Sequence, residues 1–167
     1  DSIGGIVECA ITGLPVGLGE PIFDKLQSHL AYAMMSINAC KGFEYGSGFE
    51  GVGLKGSEMY LSNDPQLISG GIAGGISDGH PIVFRCVFKP TASNRKTFEA
   101  LYSQYLEQLE PLKPFEQPSG LKAGRHDACI AVRAVAVVEA MAALVLQDFL
   151  STLVQRSRSF ERMRDKN

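Results

Sequence analysis

The chain has 167 residues, 45% of them apolar and 20% charged, with a formal net charge of -2. That suffices for one soluble domain with its own core, and the near-neutral balance excludes binding driven by nucleic-acid phosphates or an anionic membrane surface. The cysteines at 9, 40, 86 and 129 lack CxxC spacing, and the histidines at 29, 80 and 126 do not flank them as zinc ligands do. Unpaired thiols of a cytosolic protein are therefore expected, and a metal site is not.

Asp1 opens the chain with no signal-peptide pattern and leads at once into a strand over residues 3–12, rich in β-formers. The expectation is the later portion of a longer polypeptide. Gly13–Gly19 reads as a loop. Pro21 suits the first turn of a helix, in which Phe23, Leu26, Leu30, Met34 and Ile37 recur as a buried stripe and His29 lies off it in solvent. Residues 40–55 read as one or two short strands broken by glycines, and 56–80 as a long loop. Residues 81–88 form a strand that stops at Lys89-Pro90. Phe98, Leu101, Tyr102, Tyr105, Leu106 and Leu109 recur as an amphipathic helix, and Pro111, Pro114 and Pro118 mark a surface linker. The last element runs from about Val132 to Val154. Arg133, Glu139 and Asp148 interrupt its apolar run, so it is expected to be a core helix and not a bilayer span, with a frayed basic tail after Arg156.

Four segments bear on chemistry. Gly46–Gly51 fits GxGxxG, but the glycine-rich residues that follow cannot open the helix a dinucleotide site needs. The run Gly70–Gly79 is either a mobile loop or bare backbone able to approach a flat or anionic ligand. Lys89-Pro90-Thr91-Ala92-Ser93 is either a plain turn or a phosphate cradle of ammonium, hydroxyls and amides. Arg125-His126-Asp127 puts a permanent cation, a group titrating near neutrality and a proton acceptor at the mouth of the last helix. A nucleophilic Cys129–His126 pair is disfavoured, because that helix should bury the thiol. No GxSxG, P-loop or HExxH pattern occurs.

Six blocks taken in order, Asp1–Gly5, Gly13–Pro21, Met34–Gly42, Gly70–Gly79, Phe88–Thr91 and Gly124–Met141, resemble the chorismate synthase family. The resemblance implies an α+β fold, part of that family's layered β-α-β sandwich. Residues 1–167 would be a single domain, the C-terminal portion of the family's chain. The N-terminal portion, which carries two catalytic histidines and several substrate-binding arginines, would be absent. It also implies a cytoplasmic homotetrameric lyase of the shikimate pathway, associated with NADP. That enzyme removes phosphate from 5-enolpyruvylshikimate 3-phosphate by 1,4-anti elimination, giving chorismate, and requires reduced FMN. Asn38 and Ala39, Gly74, and Lys89, Pro90, Thr91, Ala92 and Ser93 match the family's flavin contacts. Arg125 matches the arginine beside flavin and substrate, and Asp127 the aspartate that helps move the proton at flavin N5. His126 is adjacent but not one of the catalytic pair.

The chain departs from the family at Ala128, Val132 and Ala136, where prolines are common, and in Asn63–Ile68, from which no contact is carried over. Residues 95–109 form a longer stretch than the family usually has there. Two rival readings stay open: a fragment that binds flavin without turnover, and a generic nucleotide-binding domain that would prefer dinucleotides.

Overall fold

The computed structural model describes residues 1–64, 68–91 and 127–164, with residues 96, 99, 100 and 103 between them. The expected helix at 98–109 lies outside the described residues apart from isolated positions, and the proline linker lies wholly outside them.

Strand β1 (Gly5–Ile11) is followed by helix α1 (Leu26–Met35), strand β2 (Cys40–Tyr45), a single 3₁₀ turn (Gly48–Gly53) and the short helix α2 (Gly56–Leu61). Next come β3 (Ile72–Ala73), β4 (Ile76–Ser77), β5 (Ile82–Phe88) and the long helix α3 (Ala131–Arg164). The architecture is α+β. β5 is central and antiparallel to both neighbours, in the order β1-β5-β2. Its run is apolar at every position but Arg85, whose charge is met by Glu44 on β2 at 2.9 Å, as a middle strand requires. Ile82, Phe84, Cys86 and Phe88 are buried on one face, and the isoleucine and the two phenylalanines each contribute roughly 1.5–3 kcal/mol by leaving water.

Two helices cover that face. α1 supplies Leu26, Leu30, Ala33 and Met34. α3 supplies a single stripe, Ala131, Ala134, Val138, Ala142 and Phe149, spaced by three, four, four and seven as one helix face demands. The other faces of α3 are not covered: Val132 is 75% and Leu144 66% exposed. The last helix is thus a core element along one stripe only, although its length and apolar composition would also suit a membrane crossing. It runs ten residues past Val154, through the basic stretch expected to fray, because no glycine or proline stands between 131 and 164 to end it.

Other expectations need correction. α1 begins at Leu26, not Pro21. Residues 20–24 form a turn in which the Glu20 N–H donates to the Asp24 carbonyl at 2.9 Å and Ile22 takes a left-handed φ of 74°. Phe23 in that turn is exposed and not part of the stripe. His29 is only half in solvent: its ring bonds Asp24 at 2.9 Å and meets Phe149 edge-on at 5.1 Å. Only β2 is a strand within 40–55. The expected loop 56–80 contains α2, whose start is tied by the Lys55 N–H donating to the Glu58 carboxylate at 2.8 Å. It also contains a hairpin. Gly74 and Gly75, with φ of 63° and 103°, make the two-residue turn between β3 and β4, a turn whose geometry favours positive φ at both positions.

Candidate functional site

All three strands of the main sheet present an end at one place. Phe88 closes β5 and pairs with both Gly5, which opens β1, and Cys40, which opens β2. The residues just beyond these ends meet there: Ser2–Gly4, Asn38-Ala39 and Lys89–Thr91. The Lys89 N–H donates to the Ala39 carbonyl at 3.0 Å. Ala39 sits at φ 69°, a conformation an alanine adopts only when its surroundings enforce it. Here the enforcing contacts are the turn that leaves α1, closed by the Cys40 N–H on the Ile37 carbonyl at 3.1 Å, and the Lys89 bond.

The N-terminal side of α3 completes the rim. The Ile3 N–H donates to the Ala128 carbonyl at 2.8 Å. The Ser2 hydroxyl donates to the Thr91 carbonyl at 2.7 Å, and the Thr91 hydroxyl reaches the Asp127 carbonyl at 3.5 Å. Gly4 permits this closeness, since a Cβ there would stand 2.6 Å from the Phe88 carbonyl oxygen. Asn38, Lys89 and Pro90 are exposed; Ala39, Thr91 and Asp127 are half-buried. The Asp127 carboxylate pairs with the Arg133 guanidinium, Nε to Oδ2 at 3.0 Å.

Of the expected site residues, Asn38, Ala39, Lys89, Pro90, Thr91 and Asp127 therefore share one rim. Gly74 does not join them. Its hairpin lies where α1 and β5 begin, with the Gly75 carbonyl accepting from the Leu26 N–H at 2.8 Å. Nothing stands within 4 Å of where a Gly74 Cβ would be. Ala92, Ser93, Arg125 and His126 lie outside the described residues.

Three other features involve none of the expected site residues. A cavity of about 590 Å³ opens between α1, β2 and the 3₁₀ turn, lined by Gln27, Phe43, Tyr45, Phe49, Met59 and Ile72 among others. It holds none of the expected residues, and its Glu44 is engaged by Arg85 at 2.9 Å. Cys9, Cys40 and Cys86 gather under the sheet as unpaired thiols. Burial first, and neighbouring Cys40 second, push the Cys86 thiol up to about 12. At the hairpin, burial raises the Asp78 carboxyl, but bonds from Ser69 and His80 outweigh it and hold the group below its ordinary value.

A family model for chorismate synthase matches residues 1–151. The chain belongs to the chorismate synthase family. The chorismate synthase of Synechocystis sp. is 50% identical over 159 residues, covering 90% of this chain and 41% of the relative. That of Christiangramia forsetii is 47% identical over 154 residues, covering 89% and 41%. A crystal structure of a chorismate synthase superposes with a TM-score of 0.66 at 28% identity, over 99% of this chain and 43% of that one. The chain thus spans about two fifths of the length of the curated relatives it matches.

Set in this chorismate synthase framework, the rim contains two residues that sequence reasoning passed over. Ser2 clamps the segment after β5 through the Thr91 carbonyl. Arg133 reads in sequence as an interruption of an apolar run. Its place in the first turn of α3, six residues after Asp127, was the available signal.

Proposed function

We propose that this chain forms the flavin-contacting portion of a chorismate synthase, which eliminates phosphate from 5-enolpyruvylshikimate 3-phosphate with reduced FMN to give chorismate. The carrying observation is that Asn38-Ala39, Lys89–Thr91 and Asp127, which the sequence resemblance marks as the family's flavin-side residues, converge at one sheet end in a chain that matches the family over residues 1–151. The donor set fits a planar, phosphorylated group. It offers an exposed ammonium, a hydroxyl and an amide, beside a backbone turn fixed at Ala39.

In this reading Lys89 and Thr91, with Ser93 beyond them, hold the cofactor phosphate by charge and hydrogen bonding. Asn38, Ala39, Pro90 and Ala92 wall the ring, and Gly74, away from the rim, has no part in it. When bound, the reduced flavin supplies electron density that stabilises the charge developing as phosphate leaves. Arg125 steadies the departing anion, and the Asp127 carboxylate takes up and returns a proton. The unpaired state of Cys9, Cys40, Cys86 and Cys129 supports a reducing, cytoplasmic setting. The uncovered side of α3 supports burial against further polypeptide or subunits, as in a homotetramer. NADP association rests on the family resemblance alone.

A second reading, flavin binding without turnover, is favoured for the 167 residues alone by their 41% share of the relatives. Anaerobic mixing with reduced FMN and the enolpyruvyl substrate separates the two. Phosphate release supports catalysis; quenched flavin fluorescence without release supports binding only. Tighter binding of dinucleotides than of FMN would overturn both.

A further inference from the structure

We propose that Arg133 is a positioning residue of this site: it holds the Asp127 carboxylate through Oδ2, so that Oδ1 is the oxygen that exchanges the proton. The inference rests on the chorismate synthase reading above and extends it to a residue that the reading does not use. The Asp127 main chain is already fixed, because its carbonyl receives the Thr91 hydroxyl and the next carbonyl, that of Ala128, receives the Ile3 N–H. What those bonds leave undetermined is the rotation of the carboxylate about its own side chain. Arg133 supplies that constraint, with Nε 3.0 Å from Oδ2.

The origin of the constraint is itself rigid. Arg133 stands in the first turn of a 34-residue helix, and its N–H donates to the Ile130 carbonyl at 3.0 Å. Neighbouring Ala131 and Ala134 are buried under the sheet and fix the helix in rotation. The arginine side chain is 65% exposed and the aspartate 29%. A pair this open contributes little to folding, so stability alone does not account for a cation at this point of an apolar helix. Positioning does, because a proton acceptor must be held in the orientation the transfer requires. A guanidinium suits the task better than an ammonium, since its planar fork fixes direction as well as charge.

The test uses the full-length enzyme that carries these residues. Arg133→Ala should lower kcat about tenfold while KM for substrate and the affinity for FMN stay within about twofold, and Arg133→Lys should recover part of the loss. In an Asp127→Asn background, Arg133→Ala should cost nothing further, because residues that act through one another are not additive. Crystal structures of the wild-type and Arg133→Ala proteins give a readout independent of turnover: one ordered Asp127 rotamer in the first, and a displaced or multiple carboxylate in the second. Equal losses in both backgrounds, or an unmoved carboxylate, would overturn the proposal while leaving the enzymatic reading intact. If the wild-type enzyme forms no chorismate, the enzymatic reading fails and Arg133 loses its proposed task with it; the crystal structures then report only whether it orients Asp127.

Discussion

The Lys89 N–H and the Ala39 carbonyl are joined by a 3.0 Å hydrogen bond that fastens the exit of β5 to the turn between α1 and β2. The bond is main chain to main chain, so the Lys89 side chain can be removed without breaking it. Lys89→Ala should weaken FMN about ten- to a hundredfold, the worth of one charge-assisted contact, and should barely change riboflavin, which lacks the phosphate. Calorimetric titration with both ligands checks this; equal losses would take the ammonium out of phosphate binding.

Asp127 makes a different demand. Its backbone carbonyl, not its carboxylate, meets Thr91, so Asp127→Asn keeps the rim closed. Turnover of the full-length enzyme should fall about a hundredfold or more, as loss of a general acid–base group does, while flavin affinity stays within a few-fold. Stopped-flow turnover and flavin titration on one preparation separate the two effects. Lost flavin binding would make the residue structural.

Ser77 is buried and sews the loop at 15–18 to the β3–β4 hairpin: its hydroxyl donates to the Pro15 carbonyl at 2.7 Å and accepts from the Leu18 N–H at 2.9 Å. Ser77→Ala strands both partners and should cost about 1–3 kcal/mol in urea unfolding. A change under half a kilocalorie would mean that water takes over both bonds.

Cys86 makes the fold sensitive to alkali. Its thiol is raised from 9.0 to about 12 by burial and by Cys40. Between those two values the unfolded chain has given up a proton that the folded chain keeps, so unfolding becomes easier as pH rises. Stability should be fully present below about pH 9 and decline toward 12. Denaturant midpoints measured across this window should fall less steeply for Cys86→Ala than for the wild type, and parallel slopes would count against the assignment.

β5 was legible because a middle strand buried among neighbours is apolar at nearly every position, and residues 82–88 are apolar but for Arg85. The stripe of α1 was legible for the same reason, but its start was not. Periodicity carries no information about the left-handed turn at Ile22, and Pro21 is as much at home in a turn as in a first helical residue. Gly74-Gly75 showed the converse limit: composition signals that positive φ is wanted, but only the pairing of Ile72 with Ser77 distinguishes a tight hairpin from a slack loop. At the rim, Lys89 and Asp127 came from motif and family resemblance. The Arg133 contact needed the structure, because a charge in an apolar run does not declare which way it turns.

The bridge from Ile3 to Ala128 joins residues 125 positions apart in the chain. A ribosome releases Ile3 long before Ala128, so the rim cannot close until synthesis has passed Ala128. A nascent chain stalled ahead of Ala128 would therefore hold a sheet end whose rim is still open on that side.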